Sequence, residues 1–318
     1  MEREVVYAPL DKGLEHTYSR GDCLSVVKTP EYHRVSSIRE SGNEIYVGTS
    51  TGLHRARNLR ELKSGNKMTI SRKFLDRHMR KQVHINIQDI QTLPDGKVII
   101  AGGYHRTGIY DLQGKSFLRN SDFNIEGLAR VLGVTELHIA GISSIIPPIE
   151  SDPNWYLHAR TSSCDELVYC FDPEGKIKPS AVAVLQETWH PKGEITQTTR
   201  NTRYGFLTTA CGWDLKLNNK ELWPAYSRTG FEGFINRFEV VNQDPLSIVI
   251  AGKLNDENFQ NNIFYLTIDG SPVPKVTEER ILVAKLAPRG KESRVEGLDL
   301  ISNEENHDWL LRHSKKMR

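Results

Sequence analysis

Cysteine is scarce in this sequence: four in 318 residues, at positions 23, 164, 170 and 211, with no CxxC pair. That spacing excludes a zinc ribbon and a disulfide framework. His158, Cys164 and Cys170 are the only metal-ligand types close together, and their gaps differ from structural-zinc spacing. Ordinary reduced thiols are expected. Long apolar runs are missing too. Residues 246–251 form one of the longest, and Ser247 interrupts it, far short of the ~20 residues that span a bilayer. The segment MEREVVYAPL lacks the apolar stretch of a signal peptide. The expectation is a cytoplasmic protein with no membrane contact.

Catalytic signatures are absent as well. No GxSxG, Walker A loop, HExxH or strand-following GxGxxG occurs. Helical periodicity is nearly absent, with residues 71–82 (SRKFLDRHMRKQ) the one helix candidate. Hydrophobic residues nevertheless make up 38%, enough to build a core, while a mean hydropathy of -0.49 keeps the surface polar.

What the chain does contain is a repeated pair of short strands. A polar-to-apolar strand meets a turn, then a β-branched strand ends in a small residue. Copies begin at residues 35–49, 87–103, 125–141, 195–212, 234–252 and 295–313. Most are followed by a third strand closing in a Gly, Asn or Asp turn. Such units cannot bury both faces alone, so they pack around an axis as a propeller. The expected fold is all-β: a single β-propeller over residues 1–318, of about six blades of four antiparallel strands. The last copy runs short, and the N-terminal segment holds spare strands, so N-terminal strands joining the C-terminal blade are expected to close the ring.

This geometry turns the repeats into a site map. Inner-strand starts carry Arg34, His84, Asn86, Glu126, Glu194, Glu232 and Glu296, which places several carboxylates at one mouth. Residues 142–163 read as a long loop on the same face, bearing Trp155, Tyr156, His158 and Arg160. Tyr104, His105 and Arg106 occupy a glycine-flanked turn, and Trp213 lies in a further loop. Tyr104, Arg106, Trp155, His158, Arg160 and Trp213 are the candidate ligand contacts. His105 is the candidate general base, since histidine titrates near neutrality.

Three of the acids sit in Glu-Gly dipeptides, at Glu126, Glu232 and Glu296, and IEGLA (125–129) pairs with VEGLD (295–299). Through these elements the chain resembles the phytase-like esterase group and, more distantly, gluconolactonase-like hydrolases. The resemblance implies a divalent cation in the channel, calcium by its oxygen ligands, held by Glu126 and Glu296 with Asn86 and Asn236 as neutral ligands. Glu232 joins them as a third carboxylate.

Charge is uneven. Residues 55–84 hold ten lysines and arginines against Glu61 and Asp76, in a chain of net charge +2. This basic insertion, helical over part of residues 60–84, suits an anionic partner, nucleic acid included. The leading reading is a binding propeller that holds a protein or small-molecule ligand on the strand-start face. The alternatives are a divalent-cation-dependent hydrolase or lactonase with channel glutamates, and an anion or nucleic-acid binder acting through residues 55–84.

Overall fold

The structure, a computed structural model, describes residues 4–9, 15–20, 23–28, 35–42, 44–49, 52–58, 61, 68–69, 86–103, 107–112, 116–119, 139–161, 166–173, 180–186, 198–210, 214–224, 234–254, 260–270, 273–283, 295–301 and 315–316. Strands β4 (Val35–Ser41), β5 (Glu44–Thr49), β6 (Gly52–Ala56) and β7 (Met68–Thr69) form one antiparallel sheet. An eight-stranded sheet holds β8 (Asn86–Thr92), β9 (Val98–Gly103), β10 (Gly108–Asp111), β11 (Ser116–Arg119), β12 (Ile139–Ile146), β13 (Trp155–Thr161), β14 (Glu166–Phe171) and β15 (Ser180–Gln186). Next come β16 (Thr199–Thr202), β17 (Gly205–Ala210), β18 (Asp214–Leu217) and β19 (Lys220–Pro224). A fourth sheet joins β20 (Phe234–Gln243), β21 (Leu246–Leu254), β22 (Gln260–Asp269) and β23 (Lys275–Val283). In the fifth, β24 (Val295–Ile301) pairs with β1 (Glu4–Pro9), followed by β2 (Glu15–Arg20), β3 (Cys23–Lys28) and β25 (Lys315–Lys316).

The fold is an all-β propeller. Its first strands stand beside one another in chain order, β4 by β8, β8 by β12, β12 by β16, β16 by β20 and β20 by β24. Four junctions between successive strand runs have their own cores among the described residues. Tyr46 and Leu53 meet Ile87, Val98 and Ile100, whereas Ile99 and Ala101, on the other face of β9, meet Ile142, Leu157 and Ala159. Tyr156 stands edge-on to Phe206, ring centroids 5.0 Å apart, and Leu207, Leu215 and Trp223 pack on Phe238, Ile250 and Phe264. Successive residues point to opposite faces of a strand, so β9 feeds two cores at once. That is why its run VIIA is continuously apolar rather than alternating.

The expectation of about six separate blades is corrected to five sheets. The second and third runs of four strands fuse where β9 bridges β12 at Gly103 and Gly141, two residues without a Cβ to hold the backbones apart. A second correction concerns residues 142–163, which were expected as a loop. They belong to β12 and β13, and only residues 147–154 connect the two, tightened by an Ile149–Asp152 bridge. Ile142, Ile145, Ile146 and Leu157 are fully buried, and burial of that side chain set outweighs the turn signals of the Pro-Pro and Asp-Pro-Asn sequences between them. The helix candidate at residues 71–82 lies outside the described residues.

Close approach at one glycine makes the first packing prediction. A Cβ on Gly48 of β5 would sit 2.5 Å from Ile87 Cγ2 and 3.0 Å from Ile87 Cβ. Gly48→Ala is therefore expected to cost about 1–3 kcal/mol through overpacking, read as a lower urea midpoint at unchanged slope. An unchanged midpoint would show that β5 and β8 do not touch there.

Candidate functional site

Where the inner strands converge, alternate residues carry charge instead of apolar side chains. Ser37 and Arg39 lie on β4, Asp89 and Gln91 on β8, Arg200 on β16, and Arg237 and Glu239 on β20. The i, i+2 spacing puts each pair on the same strand face, and the intervening Ile38, Ile90 and Phe238 fill the cores between sheets. All of these polar residues except Arg39 are buried; Asp89 is 1% exposed and Arg200 4%.

Hydrogen bonds join Ser37, Arg39, Asp89, Arg200 and Glu239 into one network. Arg200 grips Glu239 with both arms of its guanidinium, Nε to Oε2 at 3.0 Å and Nη2 to Oε1 at 2.5 Å. Its Nη1 donates to the Thr199 carbonyl at 3.0 Å and reaches Asp89 Oδ2 at 3.5 Å. Asp89 Oδ2 also accepts from the Ile145 amide at 2.9 Å, while Oδ1 accepts from Ser37 Oγ at 3.2 Å and from the Ile90 amide at 3.0 Å. Arg39 donates through Nε to the Ile90 carbonyl at 3.1 Å and approaches Glu239 Oε1 at 3.5 Å. Arg237 donates to Thr198 Oγ1 at 3.2 Å and to the Gln88 carbonyl. One carboxylate thus ties β4, β8, β12 and β16 together.

Burial alone would push the Asp89 carboxyl up. The charges of Arg200, Arg237 and Arg39, with the Ile145 amide, outweigh it and hold the group below the usual carboxylate range. For Arg237 burial dominates and pulls the guanidinium down, with Asp89 and Glu239 opposing it. Asp89 and Glu239 are both contacted by Arg200. Together they form a scaffold that holds charge in place.

Above the network, at the end where the inner strands finish, lies a cavity of about 490 Å³. Arg39, Arg200 and Glu239 with the neutral Gln91 form its floor, Pro147, Pro148 and Val241 an apolar wall, and Glu150, Asn242 and Gln243 its polar rim. Part of the 142–163 stretch therefore lines a cavity, through residues 147–150, but at the opposite end of the strands from the expected mouth.

The expected site residues fare differently. Trp155 is 8% exposed in the core, edge-on to Phe171 at 6.2 Å between centroids. His158 is 1% exposed, its Nδ1 sharing bonds of 2.9 Å with Ser143 Oγ and Thr199 Oγ1. That is a serine–histidine pair by distance, with Thr199 of β16 on the same ring nitrogen; His158 and Thr199 are buried and Ser143 is partly exposed. Arg160 is half-buried on β13. Tyr104, His105, Arg106, Glu126, Glu194, Trp213 and Glu232 lie outside the described residues. Asn86, Asn236 and Glu296 are placed near the starts of β8, β20 and β24, of which the backbone there is described. Among the described residues no group of three or more His, Cys, Asp or Glu side chains could hold a metal. Of the basic stretch, Arg55 is described, paired with Glu44, and Arg57, whose amide donates to Glu61.

Sequence reasoning passed over Arg39, Asp89, Gln91, Arg200, Arg237 and Glu239. For all but Arg200 the signal was two polar residues flanking one apolar residue, SIR, DIQ and RFE, in β4, β8 and β20.

No protein-family model matches the chain, and no curated protein is similar to it in sequence. Among solved structures, a protein of unknown function from Bacteroides caccae is 11% identical with TM-score 0.47, covering 95% of this chain and 99% of its own. A quinonprotein alcohol dehydrogenase-like protein from Bacteroides thetaiotaomicron is 10% identical with TM-score 0.45, covering 93% and 77%. A candidate 6-phosphogluconolactonase from Bacteroides fragilis is 9% identical with TM-score 0.43, covering 94% and 98%. No helix among the described residues is long and apolar enough to cross a membrane.

Proposed function

We propose that this chain is a binding propeller that takes a small polar molecule in the axial cavity at the finishing ends of its inner strands. One observation carries the reading: a cavity of about 490 Å³ stands directly on the buried arginine–carboxylate network. Its size falls in the ~300–1,000 Å³ range of small-molecule sites, and it pairs apolar walls with a few convergent polar groups. The network supplies rigidity. Buried ion pairs add little net stability, because desolvation offsets their attraction, but they fix side chains in one geometry, which is what a pre-formed site needs.

On this reading the pairing of β1 with β24, antiparallel from Glu4–Ile301 to Pro9–Val295, is what brings the ends of the strand series together and closes the ring. Closure holds the cavity's floor at fixed spacing.

The test is a thermal-unfolding screen of wild type against Asn242→Trp, which fills the mouth from an exposed rim position. Compounds of at least one small polar class are expected to raise the wild-type Tm by mass action and to lose that effect in the variant. A wild type that no class stabilises, or stabilisation that survives in Asn242→Trp, overturns the reading.

A further inference from the structure

One group in the cavity is left unsatisfied by the fold. Gln91 is 4% exposed and lines the cavity, and its Nε2 has no hydrogen-bond partner among the described residues. A buried amide donor without an acceptor costs about 1–3 kcal/mol. Leucine at this position would fill a similar volume without that cost. An orphaned donor kept beside a cavity points to an acceptor that arrives from outside.

We propose that the cavity binds a small hydroxylated carboxylate of the sugar-acid class, with the ligand carboxylate accepting from Gln91 Nε2 and lying against the Arg39 guanidinium. The proposal rests on the axial-cavity reading above. The sign of the ligand follows from the floor. Both Glu239 oxygens already accept from Arg200, so the one acid of the floor is turned toward a cation and is poorly placed to take a second. Arg39 is the more open of the two floor guanidiniums, its side chain 18% exposed against 5% for Arg200. A carboxylate descending the cavity therefore meets Arg39 first, with the deeper Gln91 lining the same cavity, and charge-assisted bonds to such donors are about twice as strong as neutral ones.

The hydroxyls follow from the rim. Glu150, Asn242 and Gln243 offer carboxylate and amide groups there, which suit hydroxyl donors and acceptors. Between rim and floor, Pro147, Pro148 and Val241 present C–H surface for the apolar face of a ring. A ligand that is anionic at one end, hydroxylated at the other and flat between meets all three zones.

The experiment is thermal unfolding of the full chain with D-glucuronate and with D-glucuronamide, which keeps the ring and replaces the carboxylate by a neutral amide, at matched ionic strength. Glucuronate is expected to raise the wild-type Tm with concentration, and glucuronamide to bind about tenfold more weakly. Gln91→Leu is expected to lose about tenfold in glucuronate affinity, while its own unliganded Tm equals or exceeds that of wild type because the orphaned donor is gone. If that variant does not fold, calorimetric titration of Gln91→Met reads the same loss. No glucuronate shift, an equal shift from the amide, or undiminished binding without the Gln91 side chain overturns the proposal. Asn242→Trp separates the two levels: neutral compounds that bind wild type and are lost in this variant overturn the carboxylate and leave the cavity standing. If nothing binds at all, both fall.

Discussion

Asp89→Asn is expected to lower the unfolding free energy by about 3–5 kcal/mol, the usual cost of removing one partner from a buried ionic network. The substitution keeps volume and changes little but charge. Asp89 stands at 1% exposure, accepts four bonds, and sits in the field of Arg200, Arg237 and Arg39. Asparagine removes the compensating charge and turns a donor toward the Ile145 amide or the Arg200 guanidinium, where donors already point. Arg200, Arg237 and Arg39 would each then lose a neighbouring negative charge.

The pH dependence identifies the cause. Asp89 has a folded pKa below its unfolded value of ~3.9, so its stabilisation is fully present above ~pH 4–5. It is lost as pH falls through the folded pKa, because the unfolded chain takes up the proton first. The gap between wild type and Asp89→Asn is therefore widest near neutrality and narrows in acid. Urea unfolding at a series of pH values reads both quantities. A cost under about 1 kcal/mol, or a gap that stays constant into acid, would mean that Asp89 is not the ionised hub of this network.

How much of this was legible beforehand follows from which interactions are local. The paired strands at residues 35–49, 87–103 and 234–252 correspond to β4–β5, β8–β9 and β20–β21, because hairpin turns and β-branched runs are written in neighbouring residues. Phase was lost in the third copy. VTELHIAGISSII reads as a strand ending at Gly141, whereas Ile139 opens β12, which runs on to Ile146. With Ile142, Ile145 and Ile146 all buried, no alternation marks the start of the strand. Ser143 and Ser144, which look like loop residues, are held by His158 and by the Thr199 amide. The charged axis was hidden for a different reason. An arginine or aspartate in a strand normally marks a solvated face, and only assembly around an axis brings Asp89, Arg200 and Arg237 together across 111 and 148 residues of chain. Trp155 misled in the opposite sense, as a large aromatic beside Pro and Asp that proved to be core.

Arg200 and Glu239 provide the second large effect, and one that separates packing from pairing. Arg200→Met alone leaves Glu239 and Asp89 facing a deep site with fewer cations, and Glu239→Met alone leaves Arg200 and Arg39 without their shared acceptor. Each single change is expected to cost about 3–5 kcal/mol. The double variant removes both charges and puts two flexible apolar side chains in their place, so it is expected to lose about 1–3 kcal/mol less than the sum of the singles. Recovery is partial, because Arg39 and Asp89 also lose contacts. The measurement is a double-mutant cycle by urea unfolding at neutral pH. Additive losses would show that the two side chains act independently, against the bidentate contact of 3.0 and 2.5 Å. The same cycle bears on function. If the network serves to hold the cavity floor in shape, the double variant regains stability but not the ligand-dependent Tm rise, since Arg39 loses the carboxylate that orients it. A stable double variant that still responds to ligand as wild type does would place binding elsewhere on the propeller.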